Sequence, residues 1–321
     1  MNRADARPRR ALGRRLARIF TVALLSVVAV ALFRYAGSVD WPGVREAFGS
    51  YPAALLCSAA GLAVASYLLY CGYDLAARRY AGHALSTPRV AAAAFVSYAF
   101  NLNLGALIGG VGFRFRMYLR AGIAAGVIAR IVAFSIVANW LGYTALAGLL
   151  LVLSPEPLAV AAGLRAPYLV AAGVAALALV AAYLLACVGL RERVLCIRGH
   201  EYRLPTPALA LLQLALSSLN WLTIATILFV LLGREVAYPV VLGALLAGAV
   251  FAALVHIPAG LGALEAAFLA LLGGHVGQPQ LIAALLAYRA IYYIAPLLLA
   301  ILAYLGLEAR APSGSGDRSE R

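Results

Sequence analysis

Apolar runs of helix-spanning length alternate with short arginine-bearing segments along almost the whole chain. A helix needs about 20 apolar residues to cross a bilayer. Six runs meet that requirement, at about 19–36, 52–73, 131–153, 168–189, 208–232 and 281–306. The second ends before Arg78 and Arg79. The segments between them read as loops: a short one with Asp40, Arg45 and Glu46, a proline-containing one at 154–167, a basic one at 191–207, and a turn at Gly233–Glu235. Residues 1–18 form a basic tail and 307–321 a short polar, disordered one. The first run lacks a small-residue cleavage exit and reads as a retained anchor.

Two apolar segments do not fit a simple span. Residues 86–120 open with Ser86 or Thr87 as an N-cap and Pro88 in the first turn. They then place NLNLG (101–105) and GGVG (109–112) in the middle of the apolar stretch. Residues 240–274 carry HIPAGLG (256–262) at their centre. The first segment is too short to cross twice and too broken to cross once. Irregular backbone at membrane depth is tolerated only when buried in protein or lining a cavity. Both segments therefore read as re-entrant helical hairpins.

Charge supports this reading. All 26 basic residues are Arg. If 86–120 returns to the side it left, 21 Arg fall on one side and four on the other, with Arg289 inside a span. If it crosses, the partition is 12 to 13. Cytoplasmic loops are enriched in basic residues, so the hairpin is preferred and both termini are expected in the cytoplasm. Each half of the chain, about 19–153 and 168–306, then has three crossings and one hairpin, in opposite orientation. The expected fold is an all-α polytopic membrane protein with about six full transmembrane helices, two oppositely oriented re-entrant hairpins and an inverted-repeat architecture. It forms one membrane domain, 19–306.

Composition narrows the function classes. The chain has 321 residues, 64% hydrophobic and 12% charged, with a mean hydropathy of +0.93. Soluble proteins carry roughly 25% charged residues, so a soluble enzyme and a disordered chain are excluded. The net charge of +14 sits in clusters between apolar runs and points to the membrane surface rather than to nucleic acid. The four cysteines show no metal-ligand spacing and read as small core residues. No metal or other cofactor is expected, and no nucleophile–base pair suggests an enzyme.

Polar residues at depth are the site candidates. Asn101 and Asn103 at the first tip either cap broken helix ends or face a substrate, and both readings are compatible. Gly105 and the following glycine run permit close backbone approach. Arg114 offers a planar fork to a phosphate or anchors the helix at the surface; Arg116 and Arg130 are weaker candidates of the same kind. The second constellation is His256, Pro258, Gly260, Gly262 and Glu265. Glu265 requires a cation, and Arg289, Arg114 and Arg130 are the options. His256 is either a proton relay or an ordinary hydrogen-bonded side chain. Asn139 and Asn220 lie in a further polar layer that interhelical hydrogen bonds alone would explain.

The strings SYAFNLNLGALIGGVGFRFRMYLRAG, RIVAFSIVANWLGY and VHIPAGLGALEAAFLALL resemble the YbhN family of bacterial inner-membrane proteins. That family is similar to the flippase-type transmembrane domain of lysylphosphatidylglycerol synthases (MprF-type) and to AglD-type proteins. The resemblance covers roughly 15–306 and implies a lipid-handling domain that translocates an anionic phospholipid or lipid-linked molecule. No synthase domain follows, so synthase activity is not implied. The competing expectation is a non-transporting lipid-binding scaffold, or a partner of an envelope enzyme.

Overall fold

The structure is a computed structural model that describes residues 40–190, 194–197, 200–255 and 262–309. The run 19–36, both terminal tails and the tip 256–261 lie outside the described residues, and with them His256, Pro258 and Gly260.

The first described helix is α1 (Trp41–Gly49), where a loop was expected. Asp40 caps this helix by accepting from the Gly43 N–H at 3.2 Å, and Pro42 fits its first turn. The long helices α2 (Ala53–Ala81), α5 (Ala125–Leu153), α7 (Ala166–Gly189) and α8 (Pro207–Leu231) follow, with three short helices between α2 and α7: α3 (Thr87–Leu104), α4 (Phe113–Arg120) and α6 (Pro155–Ala162). Next come α9 (Tyr238–Val255), α10 (Ala263–Leu272), α11 (Gln278–Arg289) and α12 (Ala295–Ala309). The last two are continuous through a π-helical turn at Ala290–Ile294. Among the described residues, five helices of 24 to 30 residues are long and apolar enough to cross a membrane. They coincide with five of the six expected spans.

Three segments expected as loops carry structure: α1, α6 and a two-stranded antiparallel ladder. Pro155 starts α6 and Gly163, at φ +63°, ends it. Strands β1 (Val194–Ile197) and β2 (His200–Arg203) pair with Val194 opposite Arg203 and Ile197 opposite His200. Helix α2 runs past residue 73 to Ala81 and stops at Gly82, φ +72°. It therefore carries Asp74 inside the helix rather than at its exit.

The bundle core is made by α2 along α8, with α5 against both α7 and α8. Small residues set the closest approach: the Gly148 and Gly173 backbones of α5 and α7 leave no room for a Cβ on either side. Outside this core, large apolar side chains such as Leu179, Leu185, Leu298 and Leu302 face outward, the surface expected of a helix against lipid.

Both irregular segments fold back on themselves. Helix α3 continues through Asn101 and Asn103 to Leu104, and the break falls at Gly105, φ +83°, where a side chain would be strained. The expected broken tip at 101–105 is thus narrowed to one residue: the asparagines are helical. A π-helical turn (Ala106–Gly112) leads back into α4. A Cβ on Gly109 would collide with the Phe100 carbonyl oxygen, so the return leg lies directly against the α3 backbone. Phe100 and Phe113 stack across the pair at 3.9 Å, with Tyr304 of α12 edge-on to both. In the second segment, α9 and α10 lie side by side, with the Leu264 Cα 3.1 Å from a Cβ on Gly248.

Candidate functional site

A cavity of about 380 Å³ lies where the two fold-backs meet the bundle. The first contributes Asn101, Gly105, Gly110 and Arg114, and the second contributes Gly248, Ala249, Ala252 and Leu264. Helices α5 and α8 add Ser135, Asn139, Trp140, Asn220 and Trp221, while the turn after α11 adds Tyr292 and Tyr293. Its mouth is apolar: Ile136 and Trp140 line it and are 50% and 42% exposed, beside the exposed Ala106 and Ala253. Its floor is polar.

The floor is built on Asp74, which is 0% exposed. Arg114 donates from Nε to Oδ2 at 3.1 Å and sets Nη2 3.0 Å from Oδ1 as an ion pair. Nη2 is not aligned for a hydrogen bond to that oxygen and makes none elsewhere among the described residues. Tyr118 donates to Oδ2 and Ser135 to Oδ1, each at 3.0 Å. Three side chains from two helices, Arg114 and Tyr118 of α4 and Ser135 of α5, thus converge on one carboxylate from α2. A buried charge is tolerated when it is paired and its remaining lone pairs are bonded, and Asp74 meets both conditions.

A second layer of polar contacts ties the helices together above it. The Ser66 hydroxyl donates to Asn220 Oδ1 at 2.6 Å and lies 2.6 Å from the Tyr292 hydroxyl, which is 2.8 Å from that of Tyr98. Tyr67 donates to the Tyr292 carbonyl at 3.2 Å. Asn220 is therefore committed to helix packing. Asn139 uses its backbone carbonyl to accept from Ser217 and Trp221. Its carboxamide, like that of Asn101, makes no hydrogen bond among the described residues, and both line the cavity.

Glu265 takes Arg289 as its partner. Nε to Oε1 is 2.6 Å and Nη2 to Oε2 is 3.1 Å, a two-point fork. Oε2 also accepts from the Gly262 N–H at 2.9 Å, closing the start of α10, and Gly262 holds φ +81° there. The guanidinium lies 5.3 Å from the centre of the Tyr293 ring. Arg114, an alternative partner in the sequence reading, is held by Asp74 instead, and Arg130 is exposed in the second turn of α5.

The other predicted residues are dispersed. Asn103 donates to the Ala99 and Tyr293 carbonyls at 2.8 and 3.3 Å, tying the fold-back to the turn after α11. Arg116 lies 5.6 Å from the Tyr304 ring centre. Asn101, Gly105, Arg114, Asn139 and Asn220 are brought together at the cavity; Arg116, Arg130, Glu265 and Arg289 are not among its lining residues. Sequence reasoning missed Asp74, Ser135 and Tyr118. The available signal was Asp74 itself, the one acid in α2.

No family model matches the chain. It is 42% identical over 295 residues to the inner membrane protein YbhN of Escherichia coli (strain K12), covering 92% of this chain and 93% of that protein. It is 32% identical over 262 residues to the uncharacterized protein slr0712 of Synechocystis sp., covering 80% of each. Nearly the whole described bundle, both fold-backs included, falls within the first match, and the chain belongs to the YbhN family of inner-membrane proteins.

Proposed function

We propose that this protein is a lipid transporter of the inner membrane. It moves a phospholipid or lipid-linked anionic molecule between leaflets through the cavity shared by the two fold-backs. The observation that carries this is the cavity's asymmetry: an exposed apolar mouth at Ile136, Trp140 and Ala253, and a polar floor at Asn101, Arg114 and Asn139. An amphiphile fits that arrangement with its head on the floor and its chains extending through the mouth. A water-soluble solute would have to cross an apolar rim.

In this reading the fold-backs are re-entrant hairpins entering from opposite faces, and the halves are inverted repeats with a shared midplane site. The 21-to-four partition of Arg supports cytoplasmic termini. The likeness of the fold-back motifs to the flippase-type domain of lysylphosphatidylglycerol synthases supports lipid handling.

One observation favours a second reading, a lipid-binding scaffold that does not transport. Both described ion pairs, Asp74–Arg114 and Glu265–Arg289, are closed within the chain. Reconstitution separates the two. The full chain is placed in vesicles with acyl-labelled phospholipids, and leaflet accessibility is followed with a membrane-impermeant quencher. Transport predicts quenching beyond the outer-leaflet fraction. Quenching that stops at the outer leaflet, with the protein folded and labelled lipid bound, leaves the scaffold.

A further inference from the structure

Resting on the transport reading, the charge inventory of the cavity points to a class of headgroup. We propose that the site takes a lipid whose headgroup carries one phosphodiester and otherwise uncharged hydroxyls, and that it discriminates against headgroups bearing an ammonium.

Among the described residues the lining contains a single cation, Arg114, and no carboxylate. The nearest acid, Asp74, stands behind Arg114 with all its acceptor positions directed at Arg114, Tyr118 and Ser135. A choline or aminoacyl headgroup would bring a second positive charge beside Arg114 with no carboxylate facing it. In a low-dielectric site like charges repel strongly. A phosphodiester meets the opposite situation. A guanidinium has five N–H donors, of which Asp74 takes one hydrogen bond, at Nε. Nη2 makes no hydrogen bond among the described residues, so it can turn to a phosphate while Nε stays on Asp74 and the buried carboxylate keeps its counter-charge.

The hydroxyl preference comes from the amides. The Tyr98, Tyr292 and Ser66 hydroxyls are bonded to one another, and Ser135 is bonded to Asp74. Asn101 and Asn139 are uncommitted among the described residues, and each amide both donates and accepts. A hydroxyl also does both, whereas a methylated ammonium does neither. A site built to bond hydroxyls rejects a head that lacks them, because its own polar groups are then left unpaired.

The test uses the full chain in vesicles of neutral host lipid. Four acyl-labelled probes are compared: phosphatidylglycerol, phosphatidic acid, phosphatidylcholine and aminoacylated phosphatidylglycerol. The expected result is phosphatidylglycerol moving at least about tenfold faster than the two ammonium-bearing lipids, with phosphatidic acid slower than phosphatidylglycerol. Tenfold corresponds to about 1.4 kcal/mol. Asn139→Leu, with an unchanged melting temperature, should remove most of the gap between phosphatidylglycerol and phosphatidic acid. Equal rates for all four probes, or faster movement of an ammonium lipid, overturn the headgroup assignment while leaving transport standing. No movement of any probe by folded protein overturns transport itself. Soluble glycerol 3-phosphate is offered to the same vesicles; its uptake would overturn the lipid assignment and place the same chemistry on a free solute.

Discussion

The Asp74–Arg114 pair should hold the bundle together as well as furnish the cavity floor, and Asp74→Ala tests this. Asp74 is 0% exposed and Arg114 3%, so the substitution leaves a guanidinium buried with no counter-charge. Removing one member of a buried pair costs about 3–5 kcal/mol. Tyr118 and Ser135 also lose their acceptor, at about 1 kcal/mol each where they find no replacement. Asp74→Asn keeps the volume and one carbonyl but leaves the charge uncompensated, so it should fall near the Ala variant. Asp74→Leu combined with Arg114→Met removes both charges and replaces them with apolar volume, which is often neutral or better. At about 2–4 °C per kcal/mol, the single variants should melt roughly 6–20 °C below wild type in detergent, and the double variant should recover most of that loss. Intrinsic tryptophan fluorescence is a suitable readout, since Trp140 and Trp221 line the same cavity. Single variants melting within about 2 °C of wild type, or a double variant no better than either single one, would refute the argument.

Three further outcomes follow from the geometry. Gly109→Ala forces a Cβ against the Phe100 backbone and should cost about 1–3 kcal/mol or more; Gly110→Ala meets the mobile end of Asn101 and should melt much closer to wild type in the same assay. Glu265→Gln keeps an acceptor for Gly262 and acts on a pair that is 15% and 25% exposed, so its loss of stability should be smaller than that of Asp74→Asn, about 1–2 kcal/mol by denaturant titration. His83, between α2 and α3, accepts from the Leu85 N–H at 3.3 Å, and burial and then Arg78 push its pKa below the ordinary 6.5. A depressed histidine favours its neutral form when folded, so stability should fall as pH drops below 6.5; His83→Gln should flatten melting temperatures between pH 7 and 5, and an equally steep profile in that variant would assign the acid sensitivity elsewhere.

Hydropathy alone made the long helices legible, because a 20-residue apolar run has few alternatives to a helix. The fold-backs were legible for a different reason: amides and glycines at 101–112 break an apolar run that would otherwise have been a span. The position of the break was not. Asparagine has modest helix propensity, and tertiary contacts can hold it in a helix; here the Asn103 amide bonds back to the Ala99 carbonyl. The chain turns only where Gly105 adopts positive φ. The β1–β2 ladder was hidden by arginines that read as plain membrane-surface charge, and α1 and α6 by prolines that end runs but also start helices.

The site was half legible, and the missing half shows how a buried acid escapes a hydropathy reading. Drawing the second span to end at residue 73 placed Asp74 outside it, where a carboxylate needs no partner. Extending the helix to Ala81 places it within the bundle, where it needs a cation and further donors. With Asp74 out of view, Glu265 was the one acid in need of a cation and Arg289, Arg114 and Arg130 all stood as options; Arg289, 24 residues away on a neighbouring helix, satisfies it with a two-point fork. Two acids and two buried or half-buried arginines admit two pairings. What decides between them is packing: the return leg of the first fold-back lies against α3 at Gly109, with α3 in turn on α2, and this brings Arg114 to Asp74. A glycine that admits the backbone of a neighbouring leg is therefore also the residue that selects the ion pair, and the cavity's polar floor depends on a position that carries no side chain.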